Sequence, residues 1–455
     1  MKKITKLLSA VAVFMIAFSV SAFALTEGDW EFQLLENEIK ITAYNGTDTE
    51  VVIPSTIYGA PVTKVSIDTW NHNGFKNVTS LEYPGTVKEI RDNGVGENLK
   101  EITLHEGTEI ISSGAFRETG ISLINLPSTI KEISDHAFYN SKSLSQINFH
   151  SGIKKIGESA FKNTALTQLD LTSLPGDCIF DGEFIFSECK SLKTAKLPEG
   201  MTVIPTGFLK GCESLNSADI PNSVQTIGIS AFAECTSLEN IILPTSLQSV
   251  EMAGFAGCTS LKEVVIPYGT KTLSHNCFYN CPSLKSLYIP DTVNDIATYK
   301  NIVENSDNCI IYCSAGSYAE QICKREEMSY LTDNSVNSGI TVLYNGTRIS
   351  FHSYGQNPEL LNSRTLVPLR SIFEAMGAEV EWDGDTKTAV ATRNGVTVKI
   401  QIGANEMYKG NEKIAVDVPA TILNDRTMVP ARVIAEAFGA DVQWNANGKT
   451  VLINE

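Results

Sequence analysis

The chain has 455 residues, enough for two or three domains. Its 52 acidic and 36 basic side chains give a formal charge of −16. A surface this acidic repels phosphate backbones and anionic membranes, which argues against nucleic-acid binding by bulk electrostatics.

Residues 1–24 read as a Sec-type signal peptide. Lys2, Lys3 and Lys6 precede an apolar run over residues 7–18, and Ala22-Phe23-Ala24 places small residues where a signal peptidase reads. Cleavage is expected between Ala24 and Leu25. The run is too short for a spanning helix, and with no cysteine before Cys178 the lipid-modified type of signal is excluded. The layout is bacterial in style. The mature protein is expected to be secreted or held non-covalently at the cell surface, with no transmembrane segment.

From residue 25 to 331 the chain is repetitive. Cys189, Cys212, Cys235, Cys258 and Cys281 follow one another at a step of 23 residues, and Leu192, Leu215, Leu238, Leu261 and Leu284 open the corresponding copies. Apolar residues stand three and five places after each leucine, as in Ile241 and Leu243, and a proline follows at the sixth. Phe186, Leu209, Phe232, Phe255 and Phe278 stand three places before the cysteines. The L-x-x-I-x-I alternation predicts a short strand with one buried face, ended by the proline. A second short strand is expected over residues 223–227 and its equivalents, before the Ala-Phe segment turns into the next copy. One copy cannot bury its own apolar residues, so copies must stack. At a strand spacing of roughly 4.8 Å, about ten rungs make a β-rich solenoid near 50 Å long. Earlier copies are more degenerate: Val78, Leu99, Ile121, Leu144 and Leu166 lead them, and Thr119, Ser141 and Thr164 stand at the cysteine position. An insertion around residues 175–183 is expected to bulge from one face.

With proline rather than asparagine after the strand, the array resembles the leucine-rich repeats of BspA-like, or treponemal-type, surface proteins over roughly residues 28–331. The opening WEFQLLENEIKITAYNGTDTEVVIPSTIYGAPVTKV is similar to that family's amino-terminal unit. CIIYCSAGSYAEQICKREEMSYL is similar to its closing unit, with a short helix over residues 317–326. The resemblance implies a bacterial surface or secreted protein that binds a protein or another cell-surface macromolecule. The period itself implies only the solenoid.

Residues 332–339 are polar and rich in small side chains, and read as a linker. Over residues 340–455 a new repeat appears: RTLVPLRSIFEAMGAEVEWD, from Arg364, returns as RTMVPARVIAEAFGADVQWN, from Arg426. Each copy predicts a helix starting near Pro368 or Pro430 and ending at Gly377 or Gly439, then a strand, a turn and a strand. Two small α+β halves are expected. This segment resembles the copper amine oxidase N-terminal domain, which in exported bacterial proteins is often an accessory near the cell envelope. A copper site is not expected: His352 is the segment's one histidine, and one imidazole does not make such a site.

No catalytic residue, metal ligand or cofactor is expected. The histidines lack ligand spacing, and His105 and His150, at the proline position of their rungs, are read as turn residues. The five cysteines of the ladder are read as small buried thiols rather than a disulfide or metal framework. A disulfide joining Cys323 to Cys309 or Cys313 stays open. Arg370 with Glu374 and Arg432 with Glu436 are read as structural ion pairs. Four places after the leading leucines, Ile242, Val265 and Tyr288 are expected to form an exposed apolar stripe that binds a partner, unless the closing cap or the second domain covers it. The leading function is non-enzymatic binding outside the cell, with the C-terminal domain as an envelope accessory and cell-wall association. A structural envelope component without a specific ligand is the alternative, and an extracellular glycan-active enzyme the third.

Overall fold

The repeats fold as a β-rich solenoid of about 12 turns spaced about 23 residues apart, more than the ten or so copies legible in the sequence. The computed structural model describes residues 25–67, 74–92, 94–297, 302–337, 339–351 and 356–455. The segment that reads as a signal peptide, with Ala24, and His72 and His352 lie outside these residues. The chain divides into two compact units. The first comprises residues up to 201 with 205–215 and 231–235; the second comprises 202–204, 216–230 and 236–455.

The first unit opens with an antiparallel meander of Leu25–Glu27, Trp30–Leu35 and Glu38–Tyr44. Trp30 and Phe75 pack on Tyr44 at ring distances of 4.8 and 5.7 Å, placing large apolar rings over the open end of the stack. Each following turn gives two short strands to parallel sheets. Glu89–Ile90, Ile110–Ile111, Glu132–Ile133, Lys155–Ile156 and Ile179–Phe180 form one five-stranded sheet in register. In it Ile90, Ile111, Ile133 and Ile156 are fully buried.

Between the strands the chain turns at two left-handed residues per copy. One stands five places before the cysteine position, as Gly114, His136, Ser159 and Gly207; the other stands immediately before it, as Glu118, Asn140, Asn163 and Gly211. Glycine and asparagine tolerate this conformation. The second position donates its N–H to the next turn: Glu118 to Tyr139 O (2.7 Å) and Asn140 to Lys162 O (2.9 Å). The Ala-Phe pair held between them drives its phenylalanine inward. Phe116, Phe138, Phe161 and Phe186 stack face to face at 5.6, 5.2 and 5.2 Å. Phe208 continues the column edge-on, because Leu209 takes the aromatic position.

The cysteine ladder has a role beyond filling space. Cys189 Sγ lies 3.3 Å from Phe161 O, Cys212 Sγ 3.3 Å from Phe186 O, and Cys235 Sγ 3.3 Å from Leu209 O. The hydroxyls of Thr119 and Ser141 both reach Phe116 O, at 3.0 and 2.7 Å, and Thr164 Oγ1 reaches Phe161 O at 3.0 Å. In the second unit Cys281 Sγ meets Phe255 O at 3.3 Å, and Ser306 Oγ meets Phe278 O at 3.3 Å. The position therefore calls for a small donor that satisfies a buried carbonyl of the aromatic row, which explains why Thr, Ser and Cys interchange there. None of the five ladder cysteines is in a disulfide, and all are buried. Burial pushes the thiols of Cys212 and Cys235 well above their ordinary range and that of Cys281 to about 12; in Cys189 burial acts the same way, but hydrogen bonds with Cys212 and Thr164 outweigh it and lower the thiol. All five sit in the core, where reagents do not reach them. We expect them to resist alkylation in native buffer and to alkylate fully in denaturant without reductant; a mass spectrum that required reductant would reverse this reading.

In the second unit Val203–Ile204, Thr226–Ile227, Ser249–Val250, Thr272–Leu273 and Asp295–Ile296 form a parallel sheet. Glu263–Val265, Ser286–Ile289, Ile310–Cys313 and Tyr330–Thr332 form another. Helix α1 (Tyr318–Arg325) closes the array, with Ser317 Oγ capping Glu320 N. It brings Cys323 against Cys313, and hydrogen bonding between the two thiols together with burial holds Cys323 above its ordinary value. The polar stretch read as a linker is not a free tether. Asn334–Asn337 is a 3-10 turn, with Asp333, Ser335 and Val336 buried.

The C-terminal domain is β-rich, with one short helix per half. Arg364–Pro368 and Arg426–Pro430 pair antiparallel, Val367 opposite Val429. Helices α2 (Leu369–Ala375) and α3 (Ala431–Ala437) start from Pro368 and Pro430, and Gly377 (φ 76) and Gly439 (φ 93) end them in left-handed backbone. The halves exchange strands: Thr341–Tyr344 of the first pairs in parallel with Thr450–Asn454 of the second. Both halves share one core around Ile372, Phe373, Val398, Ile434 and Ile453.

Candidate recognition surface

Four places after each leading residue, the strand presents one side chain outward. From the copy led by Leu99 to the one led by Leu192 this row is Thr103, Asn125, Asn148, Asp170 and Lys196, polar and exposed throughout, and the copy led by Val78 places the half-buried Glu82 there. In the second unit the row turns apolar at Ile242, Val265 and Tyr288, and the expected exposed stripe is corrected by the structure: it is covered. Ile242 and Val265 are half-buried, and Tyr288 is 6% exposed. The reason is packing by the C-terminal domain, the covering that the sequence left open.

Two glycines permit the close approach. A Cβ on Gly448 would strike Ile242 Cγ2, and one on Gly346 (φ 78) would lie 2.9 Å from Asn240 Nδ2. Thr245 donates its N–H to Asn447 O at 2.9 Å. A small cavity of about 210 Å³ remains beside the contact, lined in part by Val265, Tyr268, Leu343 and Lys449.

The centre of the contact is polar and buried. Glu263 Oε1 accepts the backbone N–H of Arg348 at 2.6 Å. The Arg348 guanidinium lies 4.6 Å from the Tyr288 ring, which stacks on Tyr312 at 4.6 Å. Arg348 Nη2 donates to Ser335 O at 2.8 Å, and Nη1 stands 3.7 Å from Asp333 Oδ2, with both side chains about as buried as the core. Burial pushes the Glu263 carboxyl up to about 7 against the opposing pull of the Arg348 N–H and charge. Burial also raises the Tyr288 hydroxyl, with the Glu263 charge adding to it. Sequence reasoning missed Glu263 and Arg348. A signal for Glu263 was present: among the ordered copies, the place two after the leading leucine holds Thr194, Ser217, Asn240, Glu263 and Ser286, and only Glu263 is charged.

Other residues that the sequence singles out make local contacts. His150 Nδ1 accepts the N–H of Gly152 at 3.1 Å, a turn contact, and His105 meets Glu82 at 2.8 Å on the surface. Arg370 and Glu374 stand 3.9 Å apart and exposed, a pair that adds little stability. Among the described residues no group of three or more His, Cys, Asp or Glu side chains is placed to hold a metal ion, and no helix is long and apolar enough to cross a membrane.

Two family descriptions match the chain. "BspA type Leucine rich repeat region" matches residues 65–178 and 181–308 in 6 copies, and "Copper amine oxidase N-terminal domain" matches residues 344–453. A curated relative, a "Protease inhibitor" of Brevibacillus choshinensis, is 28% identical over 95 residues. That match covers 20% of this chain and 28% of the relative's own length. Among solved structures, a leucine rich cell surface protein of Faecalibacterium prausnitzii is 23% identical, with 67% of this chain and 98% of that one covered at a TM-score of 0.38. The pneumococcal vaccine antigen PcpA is 19% identical, with 69% and 100% covered at a TM-score of 0.44. The T. pallidum leucine rich repeat protein is 24% identical, with 48% and 91% covered at 0.34.

Proposed function

Since the chain belongs to the BspA-type leucine-rich-repeat family, we propose that it is an exported, non-enzymatic binding protein that recognises a protein or another cell-surface macromolecule through its solenoid. The observation that carries this reading is the division of the outward row. Its apolar members are spent on the C-terminal domain, while Thr103, Asn125, Asn148, Asp170 and Lys196 stay open to solvent. A polar, regularly spaced row of this kind suits a hydrogen-bonded protein interface, in which direct polar contacts fix register and specificity. The C-terminal domain acts as an accessory that associates with the cell wall.

The test uses the chain from Leu25 onward, immobilised and exposed to solubilised extracellular matrix proteins and to bacterial envelope proteins. One saturable protein ligand is expected. Asn125→Arg with Asp170→Arg should weaken it by about tenfold or more, the cost of losing well-placed interface residues. Retention of full affinity by this double variant would move recognition off the row, and the absence of any saturable ligand would favour a purely structural envelope role.

A further inference from the structure

The C-terminal domain carries an open cleft of about 800 Å³, within the ~300–1,000 Å³ range of small-ligand sites. Two large apolar side chains stand bare there: Trp444, 39% exposed, and Leu360, 54% exposed. The cleft is also polar. The Arg364 guanidinium is held against Asp417, with Nε at 2.7 Å and Nη2 at 2.6 Å from Oδ2, and Arg432 lines the same space. Asp417 offsets the Arg364 charge, and Arg432 adds one further positive charge to the lining. The cleft offers an indole face beside fixed planar donors and a carboxylate acceptor.

That combination matches a pyranose ring. The C–H face of such a sugar is apolar and lies flat on an indole, while its equatorial hydroxyls need both donors and acceptors in the plane of the ring. An aliphatic ligand would leave the Arg364–Asp417 pair unused, and an acidic peptide would meet Asp417 as a like charge. We propose that this cleft binds the pyranose units of an extracellular or cell-envelope polysaccharide.

The internal duplication supplies a matched control. The 62-residue offset that relates the two copies pairs Trp444 with Trp382, Leu360 with Ile422, and Arg364 with Arg426. Trp382 and Ile422 are exposed to similar degrees, 46% and 51%. At the place of Asp417, however, the first copy carries Gly355. An exposed tryptophan therefore occurs twice, but Asp417 has no carboxylate counterpart at the equivalent position of the first copy. This inference rests on the accessory role proposed for the C-terminal domain and is independent of recognition by the solenoid.

Calorimetric titration of the chain from Leu25 onward with tetra-N-acetylchitotetraose and with cellotetraose tests it. At least one should bind saturably. Trp444→Ala should weaken that binding by about tenfold or more, as truncation of an interface tryptophan does, and Trp382→Ala should leave it unchanged. Asp417→Asn, which keeps the shape of the side chain, should also weaken it. Circular dichroism and an unaltered urea midpoint separate loss of the sugar site from loss of fold, and neither readout depends on recognition by the solenoid. The proposal is overturned if neither sugar binds, if Trp382→Ala weakens binding as much as Trp444→Ala, or if tetraglutamate rather than a sugar occupies the cleft.

Discussion

Replacing Arg348 with alanine is expected to unseat the C-terminal domain from the last turns of the solenoid, at a cost of ~3–5 kcal/mol, the usual penalty for removing one partner of a buried charged cluster. The guanidinium is within reach of Ser335 and Asp333 and covers the Tyr288 ring. Its loss leaves the buried carboxylates of Glu263 and Asp333 with less positive charge nearby. Urea unfolding should then show the C-terminal domain melting ahead of the solenoid. Arg348→Lys should fall between the two, since an ammonium keeps the charge but not the planar fork that bonds Ser335 while stacking on Tyr288.

The same contact carries a pH dependence with a defined sign. The Glu263 carboxyl is raised from 4.5 to about 7, chiefly by burial. Between these values the folded state binds a proton that the unfolded chain releases, so the contact is strongest below the unfolded value. It weakens as pH rises through about 7, by on the order of 3 kcal/mol in full. Glu263→Gln keeps an oxygen for the Arg348 N–H and should flatten the change in unfolding midpoint between about pH 5 and pH 8. An unaltered pH profile in that variant would show that Glu263 is not the titrating group. In Arg348→Ala the loss of positive charge should move the transition to higher pH.

The solenoid was legible because its determinants are local and repeated. The leucine, proline and phenylalanine offsets define the inward face and the turns, and Ser317, Gly377 and Gly439 mark helix ends by their own chemistry. What a period cannot convey is what lies over its outward face. Ile242, Val265 and Tyr288 read as an exposed stripe because strand alternation separates inward from outward and nothing more. The covering comes from Arg348 and Gly448, 60 to 206 residues away in the chain by no rule of spacing. The offsets read the ladder as small buried thiols and leave out its donor role. Its donor role depends on which backbone carbonyl faces it, which only the left-handed turn before it determines.

Phe161→Ala is expected to have the largest effect within the first unit. Phe161 is fully buried, stacks at 5.2 Å on both Phe138 and Phe186, and receives the edge of Phe149 at 5.6 Å. Truncation of such a residue costs ~3–5 kcal/mol through lost burial and the cavity left behind. In a stack where each turn contacts only its neighbours, that cost falls on two interfaces at once. The strands Glu132–Ile133, Lys155–Ile156 and Ile179–Phe180 should lose amide-exchange protection together, while more distant turns keep theirs. Phe161→Leu should recover much of the loss, because Leu209 fills the same position in its own copy. Thr164→Cys should be close to neutral, since a thiol there can still donate to Phe161 O as Cys189 does from the next turn. A uniform fall in protection across the whole unit after Phe161→Ala would instead mean that the turns unfold as one cooperative block, and that the column of rings couples all of them rather than neighbouring pairs.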